Sequence, residues 1–159
     1  MFNFKSKNAG EIYATQNGMV VSLSEVPDEV FAGKILGDGV AIIPDDDMVL
    51  CPVEGTIVDV TETLHAYCIH SKDGLDILVH VGIDTVNLKG EGFESFVKVG
   101  DIVKTGDALV KADLRLIREK GYETYTPIII TNMDDIKDIK FNLGKATAGK
   151  SCAISYTKK

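Results

Sequence analysis

Imidazole is the side chain whose unperturbed charge change falls closest to neutral pH, and this sequence carries three, His65, His70 and His80. His65 and His80 sit in two β-branched runs joined by Ser71-Lys-Asp-Gly74, a turn signature, so they read as residues on the two arms of a hairpin. A four-residue loop sets His65 directly opposite His80. A two-residue Asp73-Gly74 turn slides the pairing but keeps both histidines on one face, whereas a three-residue loop with a bulge puts them on opposite faces. Directly opposed residues have Cβ atoms about 4.5 to 5.5 Å apart, close enough for two imidazoles to share one small ligand, a metal ion or a phosphoryl group. A lone strand histidine is ordinarily structural. Two side by side gain little stability and repel when both are protonated, so the pair calls for a functional reason. His70 has the opposite parity to His65 and is expected on the other face, as a surface residue.

The elements that would hold this pair are short strands. Glycines punctuate β-branched runs such as Gly55-Thr-Ile-Val-Asp-Val60, Gly74-Leu-Asp-Ile-Leu-Val79 and Gly106-Asp-Ala-Leu-Val110, the pattern of an all-β sandwich or barrel. Helical signals are confined to Pro27–Leu36, with Pro27 in the first turn, and to a turn or two in each of Asp113–Lys120 and Asp134–Lys137. Gly-Asp turns recur between strands in Val97–Val110 and near Gly37-Asp38, a degenerate hint of a duplicated β unit.

Composition removes several functions. The 159 residues suffice for one sizeable core, and no apolar run approaches the roughly 20 residues of a membrane span, which predicts a cytoplasmic protein without direct membrane insertion. Cys51, Cys68 and Cys152 form no C-x-x-C pair and are odd in number, so they are expected to be reduced, buried small hydrophobes rather than a disulfide framework or a thiolate metal cage. A net charge of −7, with Arg115 and Arg118 the only arginines, offers no surface for nucleic acid. Gly144–Ser151 spells G-x-x-x-x-G-K-S, yet only eight residues follow, too few for the helix that a phosphate loop needs. Lys72-Asp73 at the hairpin tip suggests a lipoyl or biotinyl carrier, but the flanking residues do not fit. A sharper alternative is a zinc-dependent hydrolase using His65, His80 and Asp84, although the chain lacks an H-x-H element to supply a further ligand and base.

The stretch His80-Val-Gly-Ile-Asp-Thr-Val-Asn-Leu-Lys-Gly-Glu-Gly-Phe93 closely resembles the active-site signature of the glucose-class enzyme IIA family of the bacterial sugar phosphotransferase system. Val26-Pro-Asp-Glu-Val-Phe31, Gly37-Asp-Gly39, Pro52-Val-Glu-Gly-Thr-Ile57, Glu62-Thr63 with His65-Ala66, and Asn132-Met-Asp134 resemble the family in the same order. The resemblance implies an antiparallel β-sandwich of duplicated hybrid motif type with a few short helical turns, forming a single domain over residues 13–159 after a flexible N-terminal segment, 1–12. It implies a phosphotransferase component in which His80 accepts a phosphoryl group from the phosphocarrier HPr and passes it to a cysteine of a transporter's enzyme IIB domain. His65 matches the histidine that stabilises the phosphorylated state, and Thr63, expected two residues earlier on the same strand face, matches the threonine that orients it. Asp28 and Asp84 match acidic residues at the rim of the site. Val30, Phe31, Ile35, Leu36 and Leu78 stand at positions that meet the partners, and Thr61 stands where a larger apolar residue is common. No cofactor is required, zinc at His65 and His80 would be adventitious or regulatory, and a relay exposing one face to two partners is expected to be a monomer.

Overall fold

The computed structural model describes residues 8–159. The strands are β1 (Ala9–Tyr13), β2 (Gly18–Ser22), β3 (Asp38–Pro44), β4 (Met48–Leu50), β5 (Gly55–Val60), β6 (Ala66–Ser71) and β7 (Asp76–His80). They continue as β8 (Phe93–Ser95), β9 (Ile102–Val103), β10 (Ala108–Ala112), β11 (Thr126–Ile130), β12 (Ile136–Phe141), β13 (Gly144–Ala146) and β14 (Cys152–Lys158). The large sheet has the order β13-β2-β3-β11-β7-β6-β5-β9, and two smaller ones run β1-β14-β12 and β4-β10-β8. Every recorded pairing is antiparallel, so the all-β expectation holds. Among the described residues no helix is long and apolar enough to cross a membrane.

The helical content is slight and well capped. Helix α1 is Glu29–Ala32, and Asp28 caps it by accepting the Val30 N–H at 2.9 Å, so Pro27 precedes the cap instead of occupying the first turn. Helix α2, Leu114–Glu119, is capped by Asp113. The turn foreseen near Asp134 is a single 3-10 turn, Met133–Asp135.

The middle of the large sheet is buried on both faces, which explains the unbroken Ile128-Ile129-Ile130 run where alternation would be expected. Val40, Ile42, Ile77, Val79, Ile128 and Ile130 face the main core, together with Ile12 and Ile154 from one small sheet and Val49 and Leu109 from the other. Ala41 and Ile129 face the opposite way, into a second cluster with Val21, Leu23, Val26, Phe31 and Ile83, against which Leu78 packs. The chain between β2 and α1 is therefore a cover over the outer face of the sheet, and this face carries His80.

Two sequence expectations change. Residues 1–7 of the segment expected to be flexible lie outside the described residues, but Ala9 to Ile12 belong to β1 and pair with β14 from Thr157 to Ile154, because that strand needs a partner on its open edge. The β6–β7 pairing is Ala66 with His80 and His70 with Asp76, so the loop is Lys72-Asp73-Gly74. Gly74 takes a left-handed φ of 88°, its N–H bonds the Ser71 carbonyl at 2.9 Å, and Ser71 N–H bonds the Leu75 carbonyl at 2.7 Å. This is the register that separates the two histidines by parity. The loop tip is tied to β14, where the Tyr156 hydroxyl donates to Asp73 Oδ2 at 2.7 Å and Lys158 Nζ donates to the Asp73 carbonyl.

Gly39 shows how closely the central strands approach: a Cβ there would lie 1.9 Å from the Ile128 carbonyl oxygen, which is fixed in the backbone of β11. We therefore expect Gly39→Ala to cost at least about 2 kcal/mol in urea unfolding, since relief requires β3 to move off β11. Unchanged stability would mean that the two strands are not held so closely.

Candidate functional site

His65 meets His80 because it does not belong to a strand. β5 ends at Val60 and β6 begins at Ala66, leaving a tight loop over residues 61–65. Thr61 N–H donates to the Ala66 carbonyl at 3.1 Å, Leu64 N–H donates to the Thr61 carbonyl at 2.9 Å, and Leu64 adopts a left-handed φ of 60°. The Thr61 hydroxyl oxygen accepts the N–H groups of His65 at 3.2 Å and of Ala66 at 3.1 Å. The His65 carbonyl still takes the Val81 N–H at 2.7 Å across the hairpin, but its side chain is released from strand alternation. Its ring lies 4.8 Å from that of His80, centroid to centroid, at 81°. The pairing inferred from the sequence is present, although it is reached through a loop and not through facing strand positions.

His80 ends β7, and its Nδ1 lies 2.8 Å from the Gly82 carbonyl oxygen. A carbonyl only accepts, so Nδ1 carries the proton and the neutral ring keeps its lone pair on Nε2. The Phe31 ring packs against the same imidazole at 4.9 Å. Burial lowers the His80 pKa, opposed by the Gly82 hydrogen bond and by the negative charges of Asp28 and Asp84. His65 is almost wholly buried, and burial, with the charge of His80 second, pushes its pKa down to about 4. Both rings are thus held toward the neutral form, which removes the repulsion that a protonated pair would suffer.

Thr63 lies in the loop, not on a strand face as expected, yet its Oγ1 is 2.6 Å from His65 Nδ1. Thr61 Oγ1 is 3.3 Å from the same atom. Of the two acidic residues, Asp28 is engaged as the cap of α1, whereas Asp84 is exposed, left-handed at φ 61° and makes no side-chain cap bond. Val30, Ile35 and Leu36 are exposed, Ile35 at 70%. Phe31 is buried beneath them against His80, and Leu78 is half-buried on the same cluster. The Gly82 carbonyl and the Thr61 hydroxyl were not foreseen as parts of the site. For Gly82 the available signal was its place two residues beyond a histidine that ends a strand.

His70 shares the face of His80, contrary to the parity inference, because the register pairs it with Asp76; it is exposed and contacts Asp76 Oδ1 at 2.7 Å. Among the described residues no three His, Cys, Asp or Glu side chains converge as a metal site, so His65, His80 and Asp84 do not make the three-ligand centre of a hydrolase. The G-x-x-x-x-G-K-S segment turns its N–H groups inward: Thr147 donates to Ser151 Oγ, Ala148 to Asn17 Oδ1 and Gly149 to the Ala14 carbonyl. No phosphate cradle remains.

The family model described as phosphoenolpyruvate-dependent sugar phosphotransferase system, EIIA 1, matches residues 10–136. A protein of Bacillus cereus named PTS system glucose-specific EIIA component is 48% identical over 161 aligned residues, covering 100% of this chain and 98% of its own length. One of the same name from Haemophilus influenzae is 45% identical, covering 93% of this chain and 89% of its own. The solved glucose permease IIA from Mycoplasma capricolum superposes with a TM-score of 0.88 at 39% identity, over 97% of this chain and 99% of that one.

The depressed His65 pKa links stability to pH. Between its ordinary value of 6.5 and about 4 the unfolded chain binds a proton that the folded chain refuses, so stability falls as pH drops through that window. The loss reaches on the order of 3 kcal/mol, and His65→Gln should remove that part of the slope in urea unfolding at pH 7 and pH 4.5. Equal slopes for the two proteins would show that the imidazole is not held neutral.

Proposed function

The chain belongs to the phosphoenolpyruvate-dependent sugar phosphotransferase system EIIA 1 family, and we propose that within it His80 Nε2 is the atom that carries the phosphoryl group. The observation that supports this most directly is the His80 Nδ1 contact with the Gly82 carbonyl, which leaves the lone pair on Nε2. Phosphoryl transfer asks a protein mainly for in-line positioning and for donors aimed at the transferring oxygens. In the proposed reaction Nε2 attacks the phosphorus of phosphorylated HPr; a P–N bond forms on His80 as the donor's P–N bond breaks. In the second step a cysteine sulfur of the transporter's enzyme IIB domain attacks, and His80 leaves with its lone pair restored.

His65 serves as donor to the phosphoryl oxygens. With the Thr63 hydroxyl donating into Nδ1 over 2.6 Å, the proton of the neutral ring sits on Nε2, and the low pKa keeps the ring from gaining a second proton at neutral pH. Asp28 and Asp84 attract a cationic group of the partner and draw it away from the phosphoryl group it accompanies. Val30, Ile35 and Leu36 form the apolar part of the docking surface, a usual companion to a polar rim. The chain acts in the cytoplasm as a monomer, and the relatives named glucose-specific EIIA component support glucose as the sugar of the transporter it serves. No cofactor takes part. Zinc at the pair would find two imidazoles and would need its remaining ligands from a partner.

Incubation with enzyme I, HPr and phosphoenolpyruvate should add one acid-labile group of about 80 Da by intact mass, and His80→Ala should add none. His65→Gln should still be phosphorylated but pass the group on slowly. Labelling of His80→Ala would overturn the assignment.

A further inference from the structure

The Thr61 hydroxyl sits where the loop, the hairpin and the imidazole pair meet. Its oxygen accepts the N–H groups of both His65 and Ala66, and Ala66 is the residue paired across the hairpin with His80. Its backbone N–H closes the same loop onto the Ala66 carbonyl. One residue thus ties the start of β6 back to the end of β5 through both its main chain and its side chain. If β6 continued backward in regular alternation, His65 would stand opposite Val81 and its ring would turn to the face away from His80. The loop prevents this, and Thr61 is the residue that closes it.

The same hydroxyl also bears on the proton of His65. Its two lone pairs are engaged by two N–H groups, so what it can offer the His65 Nδ1 at 3.3 Å, or the Ala66 carbonyl at 3.4 Å, is its proton. Nδ1 therefore faces one hydroxyl, Thr61, that is a poor acceptor and a second, Thr63, that can donate at 2.6 Å. Both favour an unprotonated Nδ1 and place the ring proton on Nε2.

We propose that Thr61 is a positioning residue for phosphoryl transfer: its hydroxyl holds His65 out of strand register, beside His80, and biases the ring toward the Nε2–H tautomer. This rests on the phosphocarrier role of the pair for its consequence, but not for its geometry. Thr61→Val keeps the shape and removes the hydroxyl, while Thr61→Ser keeps the hydroxyl.

Onward transfer from the phosphorylated chain to the enzyme IIB domain should fall roughly tenfold to a hundredfold in Thr61→Val, as expected for a group displaced by about 1 Å, and return to within about threefold of wild type in Thr61→Ser. Nitrogen-15 imidazole spectra should show the neutral His65 of the wild type and of Thr61→Ser as the Nε2–H tautomer, and a mixture of tautomers in Thr61→Val. Wild-type transfer and tautomer in Thr61→Val overturn the proposal, as does slowed transfer with an unchanged tautomer or without rescue by serine. If the wild-type chain takes no phosphoryl group from HPr, the phosphocarrier role fails, and the His65 spectra of Thr61→Val alone decide whether Thr61 positions the ring.

Discussion

The hydrogen bond from His80 Nδ1 to the Gly82 carbonyl is the interaction on which the rest of this site depends. It places the only proton of a neutral imidazole on the inner nitrogen and leaves the outer one nucleophilic. That bond requires the chain to turn at once after β7, and Gly82 makes the turn with a left-handed φ of 78°. Thr85 steadies it from the other side, its hydroxyl donating to the Val81 carbonyl at 2.6 Å. A ring held in this way has little freedom to rotate, so the lone pair on its Nε2 keeps one direction.

Keeping the ring neutral is a problem of packing as much as of hydrogen bonding. The second cluster on the outer face of the large sheet supplies the apolar floor, and Phe31 brings part of it against His80. Burial lowers the pKa of both histidines, while Asp28 and Asp84 limit the effect on His80 alone. The result is asymmetric: one imidazole is almost wholly buried and firmly neutral, the other half-buried with the charges of Asp28 and Asp84 acting on it. Such a division suits a pair in which one member exchanges a group with partners and the other only donates to it.

Much of this was legible in short stretches of sequence. The strand runs, the hairpin that carries His65 and His80, and the contiguous stretch from His80 to Phe93 all depend on neighbours along the chain. The hairpin register did not follow, because the two-residue and three-residue loops both place Gly74 in the left-handed region and differ at Asp73, which is not left-handed here and whose conformation the turn residues do not compel. Parity reasoning then misplaced His70, and it treated Thr63 and His65 as strand residues although Leu64 bends the backbone between them. The Ile128 to Ile130 run lost its alternation for a tertiary reason, the cover laid over the second face of the sheet.

By itself the sequence determined that the chain is all-β, since glycine-punctuated β-branched runs are a local property; it marked His65, His80 and Thr63 through the resemblance of the stretches around them to the enzyme IIA family, while spacing alone left the register of the pair open. Tertiary structure alone decided that the rings meet through a loop and not through facing strand positions. It also decided that Phe31 is a wall of the site while Val30 and Ile35 remain exposed. These outcomes depend on which side of a sheet is covered, and by which distant segment. They are settled by burying the apolar residues of that segment against strands that lie far from it in the chain.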